Sequence, residues 1–144
     1  MFTPVHTRAA AAYKRVAAET GVQTADPHQL VVLLFDALLN TLQRARGALT
    51  QGDAAAKGAA IGKAVRILDE GLKAGLNMQE GGELAQNLRG IYEYSILRLT
   101  QANLRNDRLA LDEVLALIEP VAQSWQQIKG PGPAYLQPVA AAGA

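Results

Sequence analysis

The side chains that could carry out catalysis or bind a metal ion are few and widely separated in this sequence. There is no cysteine, and the only histidines are His6 and His28. A carboxylate-bridged metal pair in a helical bundle needs Glu-x-x-His on facing helices, and neither histidine follows a glutamate by three residues. His28 falls in the first turn of a predicted helix, where it is interpreted as a residue of the capping region. No metal site is predicted.

One segment resembles a phosphate-binding loop, but only superficially. In Gly58-Ala59-Ala60-Ile61-Gly62-Lys63 the two glycines are one residue too close together, and no strand precedes them. The sequence also offers no nucleophile with an adjacent base and no dinucleotide-binding fingerprint. We therefore predict that the protein is not an enzyme and needs no cofactor.

What remains is the chemistry of apolar surfaces, and it centres on the stretch from Gly81 to Asp107. This stretch predicts a helix from Gly82 to Leu104. At 100° per residue one broad face of that helix is apolar, as in a helix packed by several neighbours; it contains Leu84, Leu88, Ile91, Tyr92, Ile96, Leu99 and Ala102. Tyr94, Leu97 and Leu104 fall outside this face, where a helix packed on one side should be polar. They predict a contact with another molecule.

The two preceding helices also have apolar residues outside their predicted core faces. Asp26-Pro27-His28-Gln29 has an aspartate cap, a proline at the first helical position and a glutamine that closes a capping box, so a helix should begin at Pro27 and run to about Gln51. Its core face is predicted to hold Leu30, Leu33, Leu34, Ala37, Leu38, Thr41, Ala45 and Ala48, and its far side Val32, Phe35 and Leu39. The next helix, from about Ala54 to Leu76, has beside its core face a lateral strip that includes Ile67 and Gly71. Close packing of neighbouring helices or a binding groove would both explain this strip, and close packing is the commoner role of small residues.

The fourth predicted helix follows the cap Asp107 and has a regular apolar face that includes Trp125. Pro120 lies inside the pattern and should kink this helix or break it into two pieces. Four such helices joined by short turns predict an all-α fold, an antiparallel up-and-down four-helix bundle over residues 26–129. A short N-terminal helical arm (1–25) and a disordered C-terminal tail (130–144) should flank it.

Composition and charge limit the class of protein further. The net charge of +1 argues against a nucleic-acid partner, since the basic excess that phosphate binding requires is missing. No Sec signal is recognised in the first twenty residues, and the longest apolar run, Leu30 to Leu39, is about half of a membrane crossing. We expect a soluble, cytoplasmic protein without membrane insertion.

The surplus apolar residues admit two interpretations. Val32, Phe35, Leu39, Ile67, Tyr94, Leu97 and Leu104 would be covered by an amphipathic helix or extended peptide of a client, which is helix-in-groove recognition. The same residues would equally serve as the seam of a homodimer in a structural bundle protein that has no client. The sequence alone does not separate these two interpretations.

Several blocks of this sequence, in order, resemble the flagellin-specific export chaperone family, FliS. They are AYKRV (12–16), DPHQLVVLLFDALL (26–39), GDAAAKG (52–58), KAVRILDEGLKAGLN (63–77), GGELAQNLRGIYEY (81–94), QANLRND (101–107) and Trp125. The family usually has serine where Asp26 stands, a change that keeps the cap. His28, Asn103 and Asp107 also match family motifs, although caps and turns explain them without a partner.

The resemblance implies an all-helical protein that holds the C-terminal segment of flagellin, prevents its premature polymerisation and delivers it to the flagellar type III export apparatus. It also implies that the N-terminal segment moves aside for the client. This favours a movable cover over a frayed arm for the segment that contains Tyr13 and Val16. By its match to the family's AY motif, Tyr13 resembles a residue that docks to the cytoplasmic domain of the export gate.

Overall fold

The computed structural model describes residues 15, 16, 18 and 26–128, and in this part of the chain it contains helices and no strand. The connections are only a few residues long, so consecutive helices fold back on one another. The predicted all-α fold with four helices is confirmed. In chain order the elements are α1 (Pro27–Gln51), α2 (Ala54–Arg66), a π-helical stretch (Ile67–Lys73), α3 (Met78–Arg105) and α4 (Arg108–Gln127).

Aspartate side chains begin three of the helices, as the sequence predicts. Asp26 Oδ1 accepts hydrogen bonds from the backbone N–H groups of His28 and Gln29 at 3.0 and 3.4 Å. Asp53 and Asp107 cap α2 and α4 in the same way, through Ala56 N and Ala110 N. Each cap satisfies a donor that the first helical turn leaves free, which stabilises a helix by typically about 1 kcal/mol.

The core lies where all four helices meet. α1 contacts α2, the π-helical stretch and α4, while α3 contacts α2, the π-helical stretch and α4. Full burial of each large aliphatic side chain contributes about 1.5 to 3 kcal/mol relative to exposure. The largest fully buried aliphatic residues are Leu34, Leu38, Leu42, Ile67, Leu68, Leu99, Leu111 and Ile118.

The second predicted helix changes its winding before it ends. After Arg66 the chain becomes π-helical, and Ala74 N donates to Asp69 O five residues back at 3.1 Å. A π turn holds more residues than an α turn, so side chains after Arg66 point in directions that an α-helical wheel does not predict. Short π segments are often found at functional sites.

Two details of the last two helices differ from the prediction. α3 begins at Met78, capped by Asn77, and contains a break at Gly82 (φ 53°, ψ −135°) where the sequence placed the helix start. α4 continues through Pro120 as one helix, so of the two predicted outcomes, a kink or a break into two pieces, the break is wrong. Ala116 and Pro120 are both exposed, so water is available to the carbonyl group that loses its helical partner.

The predicted flanking segments lie largely outside the described residues. Of the predicted arm (1–25) only Arg15, Val16 and Ala18 are described, all three helical, and the predicted tail (130–144) is not described. Their division from the bundle therefore stays a prediction.

Candidate functional site

A groove of about 300 Å³ opens at one side of the bundle between α1, the π-helical stretch with the turn after it, α3 and α4. Its wall is almost entirely apolar, so it is suited to contact with apolar side chains. We call it the apolar groove. It is lined by Val31, Phe35, Gly71, Leu72, Gly75, Leu76, Leu84, Leu88, Ile91, Tyr92, Val121, Ser124, Trp125 and Ile128.

Phe35 and Tyr92 form the floor of the apolar groove, with ring centroids 6.5 Å apart. Burial raises the pKa of the Tyr92 phenol far above its usual range, so the ring stays neutral. The predicted exposure of Phe35 is wrong, because only 2% of the residue is accessible. The buried face of α1 is rotated toward Phe35, since α1 packs against α2, the π-helical stretch and α4 at once.

Three other residues of the predicted client surface are also covered to different degrees. Ile67 is 1% exposed, so its predicted exposure is wrong; it opens the π-helical stretch, which contacts α1 and α3 as well as α2. Val32 and Leu39 are half-buried and pack against the core. The lateral strip of the second helix is thus, at Ile67 and Gly71, a close intramolecular contact.

The surplus predicted on α3 is present in the structure. Leu104, Leu97 and Tyr94 are 79%, 54% and 42% exposed. Together with Gly90 and Gln101 they follow spacings of four and three residues along one line of the helix, the spacing by which one helix meets another. We call Tyr94, Leu97 and Leu104 the α3 stripe. It is the part of the predicted client surface that the fold leaves open.

Tyr94 also has a structural role. Its hydroxyl donates to Glu113 Oε1 at 2.8 Å, and Arg98 Nε donates to the same oxygen at 2.6 Å, which ties α3 to α4. The hydrogen bonds from Tyr94 and Arg98 hold the pKa of Glu113 below its usual range. The exposed face of the Tyr94 ring is therefore held in place by its own hydroxyl group.

Sequence reasoning missed the contact that Trp125, a residue of the groove wall, makes with His28. Trp125 Nε1 donates to His28 O at 2.9 Å, His28 Nε2 lies 3.0 Å from Trp125 O, and the two rings stack at 5.1 Å. This reciprocal pair joins the first turn of α1 to the last turns of α4. The residues are 97 positions apart, so no local pattern could have paired them.

Lys57 and Leu109 were missed as well. Lys57 is buried, and its Nζ donates to Asn103 O at 2.9 Å and to Asn106 Oδ1, so a cation lies at the C-terminal end of α3 where the helix dipole favours it. Leu109 is 76% exposed on α4. A wheel of that helix places Leu109 opposite the core residue Leu111, so the wheel could have found it.

The described part of the N-terminal segment rests against the wall of the apolar groove. Val16 is only 1% exposed. A Cβ atom placed on Gly71 would lie 3.2 Å from Val16 Cγ1 and 3.5 Å from Leu34 Cδ1, so a side chain here would crowd Val16 and force it to shift. Arg15 forms an ion pair with Glu70, the residue before Gly71. Tyr13, the predicted export-gate residue, lies outside the described residues.

Within the described ranges no three histidine, aspartate or glutamate side chains are grouped so that they could hold a metal ion. None of the helices described is long and apolar enough to cross a bilayer.

The fold and the groove define a class: a small helical bundle that leaves an apolar groove and an exposed apolar stripe open to contact. Residues 9–131 match the family model of the flagellar protein FliS. The chain is 52% identical over 117 residues to the flagellar secretion chaperone FliS of Salmonella typhimurium. The aligned region covers 81% of this chain and 87% of that protein. It is 45% identical to FliSB of Pseudomonas aeruginosa (81% and 91% covered) and 40% identical to FliS of Escherichia coli (81% and 85% covered).

The chain therefore belongs to the FliS family of flagellar secretion chaperones. The family assignment suggested by the sequence blocks is confirmed. Relatives with this name are chaperones, a role without catalysis, and the family supports a part in flagellum assembly through export.

Proposed function

We propose that this protein binds the C-terminal segment of flagellin, prevents its premature polymerisation and delivers it to the flagellar type III export apparatus. The observation that carries the proposal is the apolar surface that the fold leaves open, which consists of the apolar groove and the α3 stripe. A chaperone of this kind lends a folded surface to a segment that cannot bury its own apolar side chains until subunits assemble.

The client surface that we propose differs from the one expected from helical wheels. Leu84 and the edge of Phe35 in the apolar groove would take apolar side chains of the client, and Tyr94, Leu97 and Leu104 would take a second helix. Ile67 belongs to the core, and Val32 and Leu39 would contribute only their accessible edges. About forty client residues, up to about 60 Å as a continuous helix, would be long enough to contact both surfaces.

The N-terminal segment would regulate access to the apolar groove. Val16 packs on Gly71, one of the residues that line it, and we propose that the client displaces Arg15 and Val16, as the resemblance to the family implies. The displaced segment would then present Tyr13 to the cytoplasmic domain of the export gate. The support for Tyr13 is its place in the AY motif of the family.

The test is a calorimetric titration of the full chain with the last forty or so residues of a flagellin from the same cell, a length set by the span of the two surfaces. Leu97→Asp and Leu104→Asp should each weaken binding at least about tenfold, because a charge would replace a buried apolar contact. Leu84→Asp should do the same at the apolar groove. Circular dichroism should be unchanged, since all three residues are more than 40% exposed in the free protein.

Leu109→Asp is the matched control, because Leu109 is as exposed as Leu104 but lies on a different helix, α4. Equal losses for Leu109 and Leu97 would contradict the proposed surface. Absence of any binding, together with a stable dimer in light scattering that Leu97→Asp dissociates, would instead establish the homodimer interpretation.

A further inference from the structure

The contact between the N-terminal segment and the π-helical stretch has two chemically different parts. Val16 fills the space above Gly71, where it is almost fully buried. Next to it, the guanidinium group of Arg15 pairs with Glu70 Oε1. We call these two contacts together the Arg15–Val16 seat. It recognises a cation beside a β-branched apolar side chain.

Glu70 has more acceptor capacity than Arg15 satisfies. Its side chain is 26% exposed, and its second oxygen, Oε2, is buried and has no hydrogen-bond partner in the structure. A carboxylate accepts several hydrogen bonds, and an arginine that approaches with both N–H edges can satisfy both oxygens at once. Glu70 therefore gives the seat a place for a cation, and Arg15 leaves one of its two carboxylate oxygens without a hydrogen bond.

The ion pairs of Lys73 on the same stretch are made with other carboxylates. Lys73 lies on the same stretch as Glu70. Its Nζ contacts Asp69 Oδ1 at 2.9 Å and Glu93 Oε1 at 4.0 Å. Removal of Arg15 would leave Glu70 partly buried beside the acidic Asp69. A buried carboxylate without a partner is costly, so the molecule that displaces Arg15 must supply a donor or accept that cost.

We infer that the flagellin segment which displaces Arg15 and Val16 carries a basic residue beside an aliphatic one, and that Glu70 binds this basic residue and selects for it. The inference rests on the proposed function and adds a specificity-determining residue to it. Displacement then exchanges one ion pair for another of the same kind, and one aliphatic side chain on Gly71 for another. A segment with only the aliphatic residue would bind more weakly.

The test is a double-mutant cycle on the full chain. The flagellin peptide of about forty residues is made as the parent and with each Lys or Arg replaced in turn by Gln, and each is titrated into the unmodified protein and into Glu70→Gln. For one basic residue the replacement should weaken binding to the unmodified protein about tenfold and change binding to Glu70→Gln less than about twofold. The cycle cancels the separate effect of Glu70→Gln on Arg15.

Asp69→Asn is the control, because it removes the same charge from the adjacent residue, which is paired with Lys73. It should leave all peptide differences as they are in the unmodified protein. If every basic residue has the same effect in the presence and absence of Glu70, or if a peptide with no basic residue binds as tightly as the parent, the inference is wrong while the proposed function stands. Failure of the parent peptide to bind the unmodified protein would reject both.

Discussion

Trp125 and His28 join the start of α1 to the end of α4. Their rings stack, and the side chain of each contacts the backbone carbonyl oxygen of the other. Trp125→Phe keeps an aromatic ring but removes the indole N–H and leaves His28 O without its donor. We expect a loss of about 1 to 2 kcal/mol in the free energy of unfolding. Urea denaturation followed by circular dichroism measures this loss. Gln126→Ala, an exposed neighbour on α4, should change stability by less than about 0.5 kcal/mol.

Lys57 should be essential for the end of α3, because its ammonium group donates to Asn103 O and Asn106 Oδ1 from a buried position. Lys57→Met keeps most of the side-chain volume but removes these donors, and should lower the free energy of unfolding by about 1 to 3 kcal/mol. Denaturant titration is again the measurement. Lys63→Met, a half-buried position on the same helix, is the comparison, and an equal loss there would argue against a specific role for Lys57.

Glu113 predicts a stability that depends on pH. Tyr94 and Arg98 lower the pKa of Glu113 in the folded protein, so below the usual carboxylate range the folded state binds fewer protons than the unfolded state. The stabilisation is complete above the unfolded pKa and is lost as the pH falls through the folded pKa. Glu113→Gln should therefore melt below the unmodified protein at neutral pH, and the two melting temperatures should converge in acid. A difference that is constant across the pH range would contradict this role.

At the scale of single elements, two of the three glycines in α3 have opposite requirements. Gly82 has φ 53° and ψ −135°, a conformation that side-chain-bearing residues rarely adopt, so Gly82→Ala should destabilise the protein by about 1 to 3 kcal/mol. Gly90 is exposed within the same helix, and nothing lies within 4 Å of an added Cβ atom. Gly90→Ala should stabilise by up to about 1 kcal/mol. Thermal melting of both variants measures the contrast, and similar effects would contradict the break at Gly82.

The helices themselves could be predicted because capping residues close in sequence determine where most of them begin and end. Asp26, Asp53 and Asp107 cap helices where the sequence places caps, and Gly52 ends α1 with φ 74°. Which side of each helix is buried was harder to predict. Phe35 and Ile67 were assigned to exposed faces because a wheel assumes one winding and one packing side, whereas the real helices are packed on several sides and one of them turns π-helical. A strip of apolar residues beside a core face is ambiguous until its neighbours are known.

The apolar groove belongs to the whole molecule and has no signature in any one segment. Its wall combines residues from α1, the π-helical stretch, α3 and α4, and one of them, Trp125, pairs with His28 at the other end of the sequence. The α3 stripe was found from sequence because it lies on one helix, at Tyr94, Leu97 and Leu104. Local surfaces could therefore be predicted, and a surface assembled from four elements could not.

Occupation of the apolar groove should stabilise the whole bundle. With the flagellin peptide at about one hundred times its dissociation constant, linkage predicts about 2.7 kcal/mol of added stability. At the same time Arg15 and Val16 should lose their protection, because they share Gly71 and Glu70 with the entering segment. Hydrogen exchange should show slower exchange in α3 together with faster exchange at Val16. Slower exchange at both places would mean that the client and the N-terminal segment bind side by side.

In the π-helical stretch the number of residues matters as well as their types, because it sets how the helix winds. It closes on the hydrogen bond from Ala74 N to Asp69 O, and an ordinary α turn over the same distance would hold one residue fewer. Deleting a single residue here would regularise the helix and swing Gly71 and Leu72 out of register with α1 and α3. The number of residues in this turn therefore decides which of its side chains face α1 and α3.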